Sequence, residues 1–192
     1  MSKGLMTKAA LAAIMLATGG MAAHAEITFN NAITGEVLNL EDAGDEGKDT
    51  EAFKKFLQTG VNPYNEDKNC LAKGQELYLA MCSGCHGQKA EGKLGPGLND
   101  SYWTYPQGAT DKGFFEIIFG GATGQMGPMY GALNVDEMLL AMAWVRHLYK
   151  DDPADAGEWL TDDLKGKFKV YDAKAEVPKP GADAPENCKP SE

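Results

Sequence analysis

The sequence predicts an all-α protein: a helical domain between residues 67 and 150, with an extension at each end. Three observations carry that prediction. Apolar residues recur at helical spacing in three segments, glycine and proline punctuate the joints between them, and only two short runs near the start have weak strand character.

The first 25 residues read as an export signal. Lys3 and Lys8 supply a positive start, Ala9 to Ala17 is a short apolar run, and Ala23-His24-Ala25 offers the small-x-small pattern that signal peptidase cuts after. A membrane anchor is the alternative, but spanning takes ~20 apolar residues and Thr18, Gly19 and Gly20 interrupt this run. The mature chain is therefore expected to begin at Glu26, without stable membrane insertion, in the periplasm.

Residues 26–66 read as an N-terminal extension that packs on the main domain. Ile27-Thr28-Phe29 and Val37-Leu38-Asn39-Leu40 have strand character, and the stretch Glu41 to Glu51 is acidic. A short amphipathic helix is predicted over Thr50 to Leu57, with Ala52, Phe53, Phe56 and Leu57 on its apolar side and Gly60 and Asn62-Pro63 ending it. A second helix falls between Asp67 and Met81, with Leu71, Gly74, Gln75, Tyr78 and Leu79 grouped on one face. The third begins at Val135 and carries the stripe Met138, Leu139, Met142, Val145, Leu148 and Tyr149, with Asp136 and Glu137 at its N-terminus and Arg146 and Lys150 at its C-terminus. Methionines in such a stripe pack, so Met138 and Met142 are assigned to the core. Beyond Lys150, Asp151-Asp152-Pro153 breaks the helix, Trp159-Leu160 can dock, and residues 151–192 otherwise read as an extended tail.

The chain holds 18 Lys and Arg against 28 Asp and Glu; losing Lys3 and Lys8 with the signal leaves 16 against 28, a net of −12. That balance excludes nucleic acid, whose phosphates would repel it, and favours a partner presenting lysines or arginines; the plain alternative is solubility. Of four cysteines, Cys70 and Cys188 stand apart in an oxidising compartment and are expected to form a disulfide that tethers the tail, two separately buried thiols being the alternative.

The other two belong to Cys82-Ser83-Gly84-Cys85-His86. Two thiols separated by two residues can each add to a haem vinyl group, and the adjacent histidine reaches the iron from the same side. No second such motif is present, so one covalent haem c is expected. A zinc site would need four ligands, and His86 and His147, the two histidines of the mature chain, lie too far apart in sequence for a compact finger. The second ring nitrogen of a proximal histidine is normally held by a carbonyl or carboxylate; the turn Gly95-Pro96-Gly97-Leu98 is placed to supply one. Candidates for the sixth iron ligand are Met126, Met129 and His147, with an open position as the remaining option. Met126 is preferred, because the glycine-rich loop Gly120 to Pro128 can fold over a flat cofactor and present a thioether.

Several segments together resemble the cytochrome cL family, acidic periplasmic class I cytochromes that accept electrons from quinoprotein methanol dehydrogenase. They are Gly-Val-Asn-Pro-Tyr-Asn at 60–65, Cys-Ser-Gly-Cys-His-Gly at 82–87, Ala-Glu-Gly-Lys-Leu-Gly-Pro-Gly-Leu at 90–98, Tyr-Trp-Thr-Tyr-Pro at 102–106, Phe-Gly-Gly-Ala at 119–122, Met-Gly-Pro at 126–128 and Ala-Trp-Val-Arg-His-Leu-Tyr at 143–149. The resemblance implies the class I cytochrome c helical fold around one covalent haem. It makes Cys82 and Cys85 the thioether attachments, His86 the proximal ligand and Met126 the axial methionine. It also implies that Gly74 lets an aromatic of the last helix, Trp144, approach closely, and that Trp103 and Tyr105 lie near the haem edge or propionates. A calcium ion near the haem is a further cofactor implied by the family alone, since no oxygen-rich loop of EF-hand spacing occurs. Gln125 stands where relatives often carry a second methionine.

The expected function follows: an electron carrier and not an enzyme, taking single electrons from a PQQ-dependent methanol dehydrogenase and passing them to a second, small cytochrome c. The alternatives are a generic carrier serving another dehydrogenase, and a haem enzyme or sensor with an open sixth position.

Overall fold

A computed structural model describes residues 27–191, so the expected export signal lies outside it. Six α-helices order the described chain: α1 (Glu51–Thr59), α2 (Leu71–Met81), α3 (Ser83–His86), α4 (Asp111–Gly120), α5 (Val135–His147) and α6 (Asp162–Lys165). The two runs with strand character pair only through an isolated antiparallel bridge, Asn30 with Val37. Leu40, expected to continue the second run, instead starts a 3-10 turn, Leu40–Ala43, because the Asn39 side chain accepts the Glu41 N–H and caps it.

Helix α1 is punctuated as its sequence requires. The Thr50 hydroxyl accepts from the Phe53 N–H, and Gly60, in the left-handed region at φ 68°, returns its N–H to Phe56 O. Its buried face joins Phe53 and Phe56 to Phe29 and to Phe115 and Phe119 of α4, with ring centroids 5.1–6.5 Å apart. The N-terminal segment is thus part of the main core.

Helices α2 and α5 form the largest helix pairing. They approach so closely at Gly74 that a methyl group there would run into the Leu140 carbonyl and lie 3.3 Å from Trp144 Cβ. This crossing selects the buried face of α2: Leu71, Gly74, Leu77 and Tyr78 are buried, whereas Leu79, expected on that face, is 41% exposed. Met138 and Met142 of α5 are fully buried in the core. Helix α5 opens on a capping box, with Asn134 Oδ1 accepting from the Asp136 and Glu137 N–H groups and Glu137 Oε2 accepting from the Asn134 N–H.

Helix α4 has no counterpart among the three helices read from periodicity. Eight of its ten residues are buried, so it shows no amphipathic stripe. Its buried Glu116 accepts the Asn30 N–H at 2.6 Å and pairs with Lys112.

The tail is held at two places. Trp159, Leu160 and Phe168 make a small second core with Tyr149. Further on, Cys188 is joined to Cys70 by a disulfide spanning 118 positions. Beside it, Asn187 Nδ2 donates to Asp136 Oδ2 (2.7 Å) and Tyr64 Oη (2.6 Å), while Tyr64 and Thr50 hydroxyls donate to Asp136 Oδ1. Asp136 therefore does more than complement the α5 dipole, since it ties the acidic segment, the 60s loop and the tail to one helix end.

Replacing Gly74 by alanine forces α2 and α5 apart against backbone, which has no rotamer to yield. Gly74→Ala should cost about 1–3 kcal/mol of stability, read as a lower midpoint in denaturant unfolding of the holoprotein; an unchanged midpoint would contradict the crossing.

Candidate cofactor site

Helix α2 ends at Met81, and the single turn α3 carries Ser83, Gly84, Cys85 and His86, with the Cys82 carbonyl accepting the His86 N–H at 3.0 Å. That turn places both thiols and the imidazole on one short piece of backbone. The following loop folds back on it: Gly92 N–H donates to His86 O, Gly95 N–H to Cys85 O and Leu98 N–H to Ala90 O. Tyr78 secures the start of the loop by donating to Gly87 O at 2.6 Å, and burial raises its phenol well above the usual value.

His86 is buried, and its Nδ1 lies 2.9 Å from the Pro96 carbonyl oxygen. A carbonyl can only accept, so Nδ1 is the donor, and in the neutral tautomer this leaves the lone pair on Nε2. The fit on the other side is close as well, since a methyl group at Gly95 would come within 2.7 Å of the His86 ring. Both cysteines of the motif are free, with Cys85 exposed and Cys82 half-buried. Burial, with Cys85 beside it, pushes the Cys82 thiol up to about 11, so it is neutral near pH 7. Among the described residues, no three His, Cys, Asp or Glu side chains converge as a metal cluster.

Cys82, Leu98, Trp103, Met126, Met129 and Tyr130 are among the half-buried apolar residues that pack on the main core. These residues fit a flat apolar group carried on Cys82 and Cys85 and offered an imidazole by His86. Met126 sits in the loop after α4, which closes on itself through Ala122 N–H to Met126 O at 2.8 Å. Met129 N–H donates to Ile118 O, fixing the far end of that loop to α4. His147, by contrast, faces Glu66, with Nδ1 to Oε1 3.0 Å, and its ring lies against Trp144 and Tyr171.

Trp103 and Tyr105 stand on the segment leading into α4, and that segment is anchored by a residue that sequence patterning assigns to the C-terminal end of α5. Arg146, expected to complement the C-terminal end of α5, is 3% exposed and turns inward. Its Nε donates to Asp111 Oδ1 at 3.0 Å, and its Nη2 donates to Gly108 O and Thr110 O. The other Asp111 oxygen accepts from Asn62 N–H and Asn65 Nδ2. The guanidinium lies 5.0–5.1 Å from the ring centroids of Trp103, Phe114 and Trp159. Burial pushes the Asp111 carboxyl up and the Arg146 guanidinium down from their ordinary values. The signal for this pair was a lone arginine within Ala-Met-Ala-Trp-Val-Arg, a run otherwise apolar. Tyr105, one residue before a 3-10 turn at Pro106–Ala109, places its hydroxyl 2.7 Å from Thr123 Oγ1 and 3.0 Å from the Thr123 N–H. Those two bonds hold its phenol below the usual tyrosine value.

Truncating one member of a buried ion pair strands the other charge. Arg146→Met should cost about 3–5 kcal/mol, and adding Asp111→Asn should recover part of that loss, both read from urea unfolding of the holoprotein. A double variant no more stable than Arg146→Met alone would argue against the coupling.

The comparisons with known proteins agree with this geometry. A family described as cytochrome c oxidase, cbb3-type, subunit III, matches residues 69–145, the stretch from the end of the 60s loop through most of α5. Over 185 residues, 96% of this chain and 92% of the relative, the sequence is 48% identical to cytochrome c-L of Methylorubrum extorquens. A shorter stretch of 86 residues, 44% of the chain and 28% of the relative, is 34% identical to the cbb3-type cytochrome c oxidase subunit CcoP of Rubrivivax gelatinosus. Crystal structures of cytochrome cL superpose with a TM-score of 0.71 in each of two cases. That from Hyphomicrobium denitrificans is 58% identical and covers 78% of this chain and 89% of its own. That from the marine methylotroph Methylophaga aminisulfidivorans is 50% identical and covers 80% and 98%. The long relative and the two structures share most of this chain, and with the free Cys82–His86 turn they lead to one conclusion: the chain belongs to the cytochrome cL family of c-type, haem-carrying electron carriers.

Proposed function

We propose that this protein is the periplasmic one-electron acceptor of a PQQ-dependent methanol dehydrogenase and passes each electron to a second, small c-type cytochrome. The observation that carries the reading is the 48% identity to cytochrome c-L across nearly the whole chain, extensions included. In this reading Cys82 and Cys85 would hold the haem by thioether bonds, and His86 Nε2 and the Met126 sulfur would be the two protein ligands of its iron. The haem supplies an iron that alternates between ferric and ferrous states.

The chain's own residues tune that exchange. Pro96 O, by accepting a hydrogen bond from His86 Nδ1–H, sets the tautomer and would make Nε2 the better ligand. A thioether opposite an imidazole favours reduced iron and raises the potential, which suits electron acceptance. Among the described residues no helix is long and apolar enough to cross a membrane, in keeping with a carrier that diffuses between partners. Glu41, Asp42, Asp45, Glu46, Asp49 and Glu51 are all exposed on the segment that Gly47 seats against the N-terminal end of α5. They are the candidate surface for a lysine-bearing donor, attracted at long range.

Two measurements test this. Stopped-flow reduction of the ferric protein by reduced methanol dehydrogenase should outpace that of an unrelated c-type cytochrome, and its rate should fall as ionic strength rises; a rate no better than the unrelated carrier's overturns the partner. Met126→Ala should abolish the near-infrared sulfur-to-iron band and lower the reduction potential, whereas Met129→Ala should leave both in place. The opposite pattern moves the ligand to Met129.

A further inference from the structure

The geometry points to Tyr105 as the positioning residue of the methionine loop: its hydroxyl latches Thr123 and thereby holds Met126 over the iron. The inference rests on Met126 being the axial ligand. Between Ala122 and Gly127 the loop is poorly supported. Thr123, Gly124 and Gln125 are exposed, Gly124 has a left-handed φ of 82°, and a side chain at Gly124 or Gly127 would meet nothing within 4 Å. The backbone bonds made inside the tip, Ala122 N–H to Met126 O and Gly127 N–H to Gln125 O, shape it without attaching it to anything else. Among the described residues, the hydrogen bonds that tie this tip to the rest of the protein are the two that Thr123 makes with Tyr105 Oη. They grip both the backbone and the side chain of one residue, three positions before Met126, while Met129 N–H to Ile118 O grips the other end.

A latch is useful only if its own base is rigid. Tyr105 directly precedes the turn whose Gly108 carbonyl accepts from Arg146 Nη2, and Trp103, two residues earlier, is wedged against Gly108 and the Arg146 guanidinium. The order of support therefore runs from the Arg146–Asp111 pair in the core, through residues 103–111, to Tyr105 and then to Thr123. A thioether is a weak, neutral ligand, so the time Met126 spends off the iron depends on how often the loop opens. The Tyr105 hydroxyl shortens that time.

Imidazole added to the ferric holoprotein reads loop opening directly, because at saturating imidazole the binding rate is limited by methionine leaving. Tyr105→Phe keeps the ring and removes the latch; its saturating rate should rise about tenfold, with the near-infrared sulfur-to-iron band weakened and the thermal midpoint close to wild type. Thr123→Val keeps the backbone N–H donor and should give a smaller rise. Tyr102→Phe, at a neighbouring tyrosine that is 71% exposed, should match wild type. A Tyr105→Phe rate equal to wild type, or a rise matched by a general loss of thermal stability, overturns the latch. If Met126→Ala retains the sulfur-to-iron band, the axial assignment itself fails, and the latch falls with it for that separate reason.

Discussion

Helices α2 and α5 cross with backbone against backbone at Gly74, and most of the molecule is arranged around that contact. Because nothing but a hydrogen fits there, α2 cannot rotate to present another face, and its C-terminal end is aimed in a single direction. The Cys82–His86 turn is the direct continuation of α2, so the direction of the helix is also the direction of the attachment turn. A one-residue change in the buried face of α2 would move the turn around the helix axis by roughly 100°. The burial of Leu77 in place of Leu79 is the visible trace of this constraint.

Three further devices hold the rest of the chain to that pair of helices, and each uses a different chemistry. At the N-terminal end of α5, Asp136 accepts from Thr50, Tyr64 and Asn187 and so gathers both extensions at a helix end where a carboxylate is favoured by the dipole. At the other end, Arg146 forms a buried ion pair with Asp111, whose remaining oxygen is satisfied by the 60s loop, as a buried charge requires. Between them the Cys70–Cys188 bridge removes freedom from the unfolded chain over 118 positions. The extensions are therefore structural parts of the carrier, and the likeness to cytochrome c-L takes them in.

The two faces offered to the haem are built to different standards. The histidine side is rigid: its loop is folded back on the α3 turn by backbone bonds, and the imidazole is wedged between Pro96 O and Gly95. The methionine side is a glycine-rich loop with few attachments. Such an asymmetry would suit the proposed site, in which the imidazole sits beside the covalent attachment and the thioether is a soft donor that sets the potential.

How much of this was legible in the residues depends on whether the information is local. The C-x-x-C-H turn, the start of α5 at Val135, the glycine that ends α1 and the pairing of the two remaining cysteines all follow from spacing along a few residues or from simple elimination, and they appear where they were read. Helix α4 escaped because burial on every side erases the periodicity by which a helix is recognised. Arg146 was read only as a complement to the helix dipole, because an arginine in a last turn normally serves it, and its inward course depends on an aspartate 35 positions away. The Tyr105–Thr123 contact is of the same kind, joining residues 18 apart that no pattern connects. Composition and local spacing thus specify the chemistry that the chain can carry, whereas the partners of buried charges and the fastening of loops arise only when distant segments meet, because those interactions depend on three-dimensional distance and leave no period in the sequence.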